Sequence, residues 1–315
     1  MPEWLYEAGI GEARAALVED DRIVEAAIEI EGRLRLGTVA QARLAELLPG
    51  RAGRLDLGGT EVLLPRVPAG ITQGAALRVE IIREAIPEPG RPKLPRAIAT
   101  DADTPLGDGP ELLSRITATG YPVRHLLAHQ PDALEGAGWS ELLEEATSGE
   151  IVFPLGGLRM SPTPAMTLFD VDGPPPLEPL ALAAARGIAG AIRRHGIGGS
   201  IGIDFPTLTG KAARQAVAEA IDACLPMPFE RTAVNGFGFL QIVRPRPRAS
   251  IPEMLRADPI AAAARAALRT LERVPAGAPR QHRVPALVHA YLQARPAWLA
   301  ELARRTGVSP RLESA

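Results

Sequence analysis

The sequence predicts a mixed α+β, multidomain protein, and three observations carry that expectation. Short β-like runs dominate the first hundred residues, strands and amphipathic helices alternate from about residue 150 to 248, and the tail beyond is helical in pattern. With 315 residues, 46% apolar and 23% charged, the chain is long enough to bury more than one core.

Residues 13 to 30 read as two strands around Glu19-Asp-Asp21: Ala13 to Val18, then Arg22 to Ile30. From Leu36 to Glu84 β-like runs continue, punctuated by Pro49-Gly50, Gly58-Gly59 and Pro68-Ala-Gly70, a spacing that suits a small barrel or sandwich. A linker is expected across the Pro-, Gly- and Asp-rich stretch Pro87 to Pro110. Residues 111 to 149 read as helices, with Leu112, Leu113 and Ile116 on one turn and Leu142, Leu143 and Ala146 on another.

Next comes an apolar strand ending at Asp170, then a helix with Leu180, Ala184, Ile188 and Ile192 on one face. Gly196 and Gly198-Gly199 stop that helix and lead into a strand ending at Asp204. A further amphipathic helix, about Leu208 to Cys224, places Cys224 in the core, and β-like segments follow near Phe229-Val234 and Phe239-Val243. The alternation predicts a βαβαβ unit with Asp170 and Asp204 on one rim. The tail is expected to be helical over roughly 259–273 and 285–305, joined by a Pro/Gly-containing turn.

Net charge is −2, which disfavours a chain coated in base. The total hides an asymmetry, since thirteen arginines against five acids follow from Arg244 onward. Such a basic tail points either to a polyanionic partner or to a solvated arginine-rich face. No apolar run approaches the roughly 20 residues of a membrane span, and the first residues carry acid where a signal peptide carries base, so a soluble cytoplasmic protein is expected. A single cysteine excludes an internal disulfide and a Cys-x-x-Cys zinc site.

The paired aspartates are the leading candidate site. Mg²⁺ takes hard oxygen ligands and keeps several waters, so two carboxylates plus substrate phosphate oxygens suffice, provided the two lie within roughly 8 Å of each other. Asp172 shares the face of Asp170 if the strand persists that far. Gly198-Gly-Ser200-Ile-Gly202 matches the serine-hydrolase elbow in letters, but here a helix precedes and a strand follows, the reverse of what the elbow requires. Thr209-Gly210-Lys211 fails as a phosphate loop because Phe205 and Ala212 stand at two defining positions. His125 and His129 lack a neighbouring carboxylate and read as a helix surface.

Gly157 through Asp172, with Pro162-Thr163-Pro-Ala and a strand into Phe169-Asp170-Val-Asp172, together with Gly198-Gly-Ser-Ile-Gly-Ile-Asp204-Phe205, resembles the catalytic segments of the ribonuclease E/G family of bacterial endoribonucleases. Residues 10 to 97 resemble, more faintly, the family's opening ribonuclease H-like strands and its OB-type RNA-binding barrel. The resemblance implies N-terminal strands over 1–35, an OB-type barrel over 36–98, linker and helices over 99–149, an α/β catalytic domain over 150–248 and a basic helical tail over 249–315.

It further implies that Asp170 and Asp204 are Mg²⁺ ligands, that Asp172 orients them, and that Arg83, Lys93, Arg244 and Arg246 face single-stranded RNA. Several family features are missing. Only about fifty residues, Thr100 to Gly149, fill the place of a long 5'-sensing insertion, and no Cys-Pro-x-Cys zinc link follows Arg248, so zinc is not expected and the oligomeric state is left open. Arg54 and Leu63 stand where base-holding aromatics are common, and Gly236 replaces a basic residue. The implied activity is Mg²⁺-dependent cleavage of single-stranded RNA. The alternative is a degenerate member that binds RNA or a partner without cutting.

Overall fold

A computed structural model describes residues 1–88, 90, 92–275, 277–278 and 281–314. Pro89 and Arg91 of the expected linker, Ala276, Pro279 and Arg280 of the expected tail turn, and Ala315 lie outside the described residues. In chain order the elements begin with β1 (Glu3–Ala8), β2 (Glu12–Glu19), β3 (Arg22–Ile30), β4 (Val39–Leu47), β5 (Gly53–Leu57), β6 (Thr60–Leu64), β7 (Ala76–Arg83) and β8 (Arg96–Ala99). There follow α1 (Leu112–Thr117), β9 (Val123–His125), α2 (Ala133–Gly136), α3 (Trp139–Ser148), β10 (Glu150–Phe153), β11 (Gly156–Pro162), β12 (Thr167–Asp172), α4 (Leu177–Arg194), β13 (Gly199–Asp204) and α5 (Lys211–Cys224). The chain closes with β14 (Glu230–Arg231), β15 (Phe239–Arg244), α6 (Ile251–Ala257), α7 (Pro259–Glu272), β16 (Gln281–Val284), α8 (Ala286–Gln293), α9 (Pro296–Thr306) and β17 (Arg311–Ser314).

Two compact units emerge, and they are not the consecutive segments expected. The first collects residues 1–32, 112–147 and 255–315, and the second collects residues 33–111 and 148–254. In the first, a four-stranded sheet of order β3-β2-β1-β9 carries α1, with Trp4, Leu17, Leu112 and Ile116 buried together. The expected 99–149 linker therefore supplies a strand, β9, parallel to β1, and helices to this unit. His125 ends that strand and His129 lies in a turn, so the two histidines share no helix. The C-terminal helices form a second core of the same unit around Leu268, Val288, Leu292 and Leu302. The single long helix expected over 285–305 is two, α8 and α9, because Pro296 cannot continue the hydrogen-bond ladder.

Three of the tail's arginines are absorbed inside this unit. Glu12 is buried between Arg265, at 2.7 Å, and Arg269; Glu7 receives Arg14 at 2.5 Å and Arg273 at 2.8 Å; and Asp132 receives Arg14 at 3.2 Å and Arg273 at 3.0 Å. These arginines are fixed by acids and do not form a solvated face.

The second unit holds a closed barrel, β4-β5-β6-β8-β7, filled by Leu44, Leu55, Val62, Leu64, Val79 and Ile81. Its fifth strand, β8, lies inside the stretch expected to be a linker. Ala97 points inward there while Arg96 and Ile98 point outward, the alternation of a half-buried strand. The same unit holds a six-stranded sheet, β10-β11-β12-β13-β15-β14. The predicted βαβαβ order is present, but only β12 and β13 run parallel; β15 returns antiparallel to β13, and the strand near residue 230 is only two residues long.

On this sheet Phe169, Val171, Ile201, Ile203, Leu240 and Ile242 point to one side, into a core shared with α4 and α5. The predicted stripe Leu180, Ala184, Ile188, Ile192 is fully buried, and each of its three large aliphatic side chains contributes about 1.5–3 kcal/mol. Cys224, expected in the core, is exposed: it continues the spacing of Val217 and Ile221, but it is the last residue of α5. Among the described residues no helix is long and apolar enough to cross a membrane.

Candidate active site

Because apolar residues alternate into the α4–α5 side, the other face of the sheet is left to polar residues. β12 persists through Asp172 in strict alternation, so Leu168, Asp170 and Asp172 are exposed on one face while Thr167, Phe169 and Val171 are buried. The crossover through α4 makes β13 the parallel neighbour of β12, in a register that sets Asp170 directly beside Asp204. Hydrogen-bonded strands lie about 4.8 Å apart, well inside the limit for two carboxylates sharing one cation. Asp172 stands one pleat repeat further along β12, roughly 7 Å on.

The register extends this pair into a row across the sheet: Glu150 on β10, Arg159 on β11, Asp170, Asp204 and then Phe239 on β15. Arg159 donates to Glu150 at 3.0 Å. That hydrogen bond and the charge of Glu150, followed by the charges of Asp172 and Asp170, raise its pKa further. Among the described residues no hydrogen bond or ion pair engages the carboxylates of Asp170, Asp172 or Asp204. Asp170 and Asp204, in register and exposed, concentrate negative charge that Arg159 offsets from one side only.

The far flank of Asp204 is apolar. Gly202 is buried on β13, and a Cβ there would meet the Phe239 ring at 2.7 Å, Leu168 at 2.8 Å and the Met166 sulfur at 3.0 Å. Only glycine lets those three side chains converge beside the acids. Beyond Asp204 the turn Asn235 to Gly238 folds onto the strand end: Phe205 N donates to Gly238 O at 3.2 Å, and Asn235 Oδ1 accepts from the backbone of Phe237 and Phe239 at 2.9 and 3.0 Å.

The predicted RNA-facing cations fall elsewhere. Lys93 at 2.5 Å and Arg246 at 3.2 Å both pair with Glu88, and Arg246 also pairs with Glu253. Arg83 donates to Leu94 O at 2.7 Å; burial, then repulsion from Arg96 and Arg246, lowers its pKa, and Glu88 partly offsets this. The structure thus gathers Arg83, Lys93 and Arg246 into one cluster around Glu88, but at the opening end of β13, where Arg246 packs on Gly199. Arg244 pairs with Gly199, about 16 Å along the strand from Asp204. Arg54 lies apart on β5, between Glu46 and Glu61 at 3.2 and 3.8 Å. Of the predicted residues, the three aspartates come together, Arg83, Lys93 and Arg246 come together in another place, Arg244 lies opposite Gly199 away from the aspartates, and Arg54 lies apart.

Sequence reasoning missed Glu150, Arg159 and Phe239. Their signal was the two-residue period of β10, β11 and β15, which assigns the face once the register is known. Ser200 lies mid-sheet opposite Val243, and Asp222 is bound by Arg231, so no hydrolase elbow forms. Among the described residues no cluster of three or more His, Cys, Asp or Glu side chains is suited to caging a metal. Two in-register carboxylates fit the more open coordination of Mg²⁺, which completes its shell with water and substrate oxygens. Compared with protein families and with curated proteins, the sequence matches none.

Proposed function

We propose that this chain is a Mg²⁺-dependent endoribonuclease of ribonuclease E/G type, acting on single-stranded RNA in the cytoplasm, without 5'-end sensing and without zinc. The observation that carries the reading is the register that sets Asp170 beside Asp204 on an open sheet face with no intramolecular partner. The barrel order β4-β5-β6-β8-β7, with β6 and β8 parallel, supports it by fitting the OB-type barrels that bind oligonucleotides.

In this reading Asp170 and Asp204 would hold the cation, and Asp172 would orient them. Bound Mg²⁺ would supply an activated water and neutralise charge building on the phosphorus. Arg159, held by Glu150 beside Asp170, is placed to face a phosphate oxygen.

The test is incubation of the purified protein with 5'-labelled single-stranded RNA in Mg²⁺ or EDTA. Cleavage in Mg²⁺ alone is expected, together with its loss by at least about a hundredfold in Asp204→Asn, since one ligand of a two-carboxylate site is removed. Undiminished Mg²⁺-dependent cleavage by folded Asp204→Asn overturns the reading. A second reading, an RNA-binding protein that no longer cuts, is favoured by one observation: Lys93, Arg246 and Arg54 are tied to carboxylates and stand away from the aspartates. Binding without cleavage in Mg²⁺ would select it.

A further inference from the structure

We infer that Phe237 is a stacking platform for a nucleobase of the nucleic-acid strand whose phosphate sits at Asp170 and Asp204. The inference rests on the nuclease-type reading of those aspartates for its ligand class. It rests on the turn itself for its geometry.

Of the six phenylalanines, Phe237 is the exposed one, with 84% of its surface open to solvent. A lone exposed ring is unremarkable on a protein surface, so its setting decides. The turn that carries it is fixed at every step. Asn235 Oδ1 ties down the amides of Phe237 and Phe239, and Gly238 N returns to Asn235 O at 3.2 Å. Gly238 has φ of +97°, and a Cβ there would meet Phe205 O at 2.2 Å, so the turn can close on the residue after Asp204 only with glycine.

The ring is therefore presented from a rigid support at the same strand end as the carboxylates, with Phe239 directly opposite Asp204. Holding the backbone of the turn in advance removes part of the ordering cost of binding, while the ring itself stays open to a base. A base has a π-face whatever its identity, so such a ring grips single strands without selecting sequence. This also supplies at the sheet what Arg54 and Leu63 do not supply at the barrel.

The experiment measures affinity for a short fluorescein-labelled single-stranded RNA in EDTA, which prevents cutting, and for an abasic ribose-phosphate chain of equal length. Phe237→Ala is expected to weaken binding of the base-bearing strand roughly 5- to 150-fold, with Phe237→Trp retaining it and the abasic chain indifferent to both changes. Unchanged affinity of Phe237→Ala, or an equal loss on the abasic chain, overturns the platform. Mg²⁺-dependent cleavage accompanied by an inert Phe237→Ala removes the platform and leaves the nuclease. Base-dependent loss without any cleavage by the unsubstituted protein does the reverse. No binding of RNA by the unsubstituted protein either in EDTA or in Mg²⁺ removes both.

Discussion

Glu7 and Glu12 in the first unit and Asp170 and Asp204 in the second are carboxylates on neighbouring strands, held in opposite states. Glu12 is 6% exposed and bound by two arginines, and Glu7 is 5% exposed and bound by two more. Asp170 and Asp204 are exposed, adjacent and unpaired. A buried carboxylate must be neutralised by its own fold, so it is fully engaged and has nothing left to offer a ligand. An exposed pair of like charges has the reverse character: it costs some stability and remains available. The functional candidates of this chain are thus identified by what the fold leaves uncompensated.

The sharpest way to break that contrast is to remove one acid of each kind. Glu12→Gln strands two buried guanidiniums, Arg265 and Arg269, and should cost about 3–5 kcal/mol in urea-induced unfolding. A loss below about 1 kcal/mol would mean that the buried network contributes little beyond its packing. Asp204→Asn should do the opposite, raising stability by roughly 0.2–1 kcal/mol because a like charge directly opposite Asp170 is removed. Added Mg²⁺ should raise the midpoint of the unsubstituted protein and not that of the variant. A destabilised Asp204→Asn would show that the acids have a structural partner.

The smallest effect concerns Glu301 on α9. Hydrogen bonds from Arg304 and then Arg305 hold its carboxyl at about 2, against an ordinary 4.5. A depressed carboxylate contributes stability at and above the ordinary value and loses it as the group takes up a proton in the folded state. The contribution should therefore be present above pH 4.5 and fade as pH falls toward about 2. Glu301→Gln should flatten the unfolding midpoint against pH over that window alone, and an unaltered profile would show that solvent screens the pair.

How much of this was legible in the sequence follows from the range of the forces involved. The stripe Leu180, Ala184, Ile188, Ile192 and the two matched strand ends at Asp170 and Asp204 are local periodic signals, and they located α4, β12, β13 and the acidic pair. β1 and β9 carried no such signal: β9 has three residues, and its partner lies more than a hundred positions earlier. The same distance hid the ion pairs, since nothing near Arg265 announces Glu12. Cys224 was misplaced because the helical period it follows ends at that very residue. The cluster around Glu88 was invisible because it forms only when the loop after β7 meets the segment after β15.

The threading of the chain also has a consequence in time. Every segment of the second unit, barrel and carboxylate face included, has been synthesised once residue 254 has emerged, whereas the first unit begins at residue 1 and still awaits α7, α8 and α9. Glu12 and Arg265 are 253 positions apart, which at about 5–20 residues per second separates their appearance by roughly 10 to 50 s. During that interval Glu12 lacks both of its arginines and Glu7 has only Arg14. The part of the molecule that carries the candidate chemistry is ready first, and the part that closes last is the one most exposed to misassembly on the way.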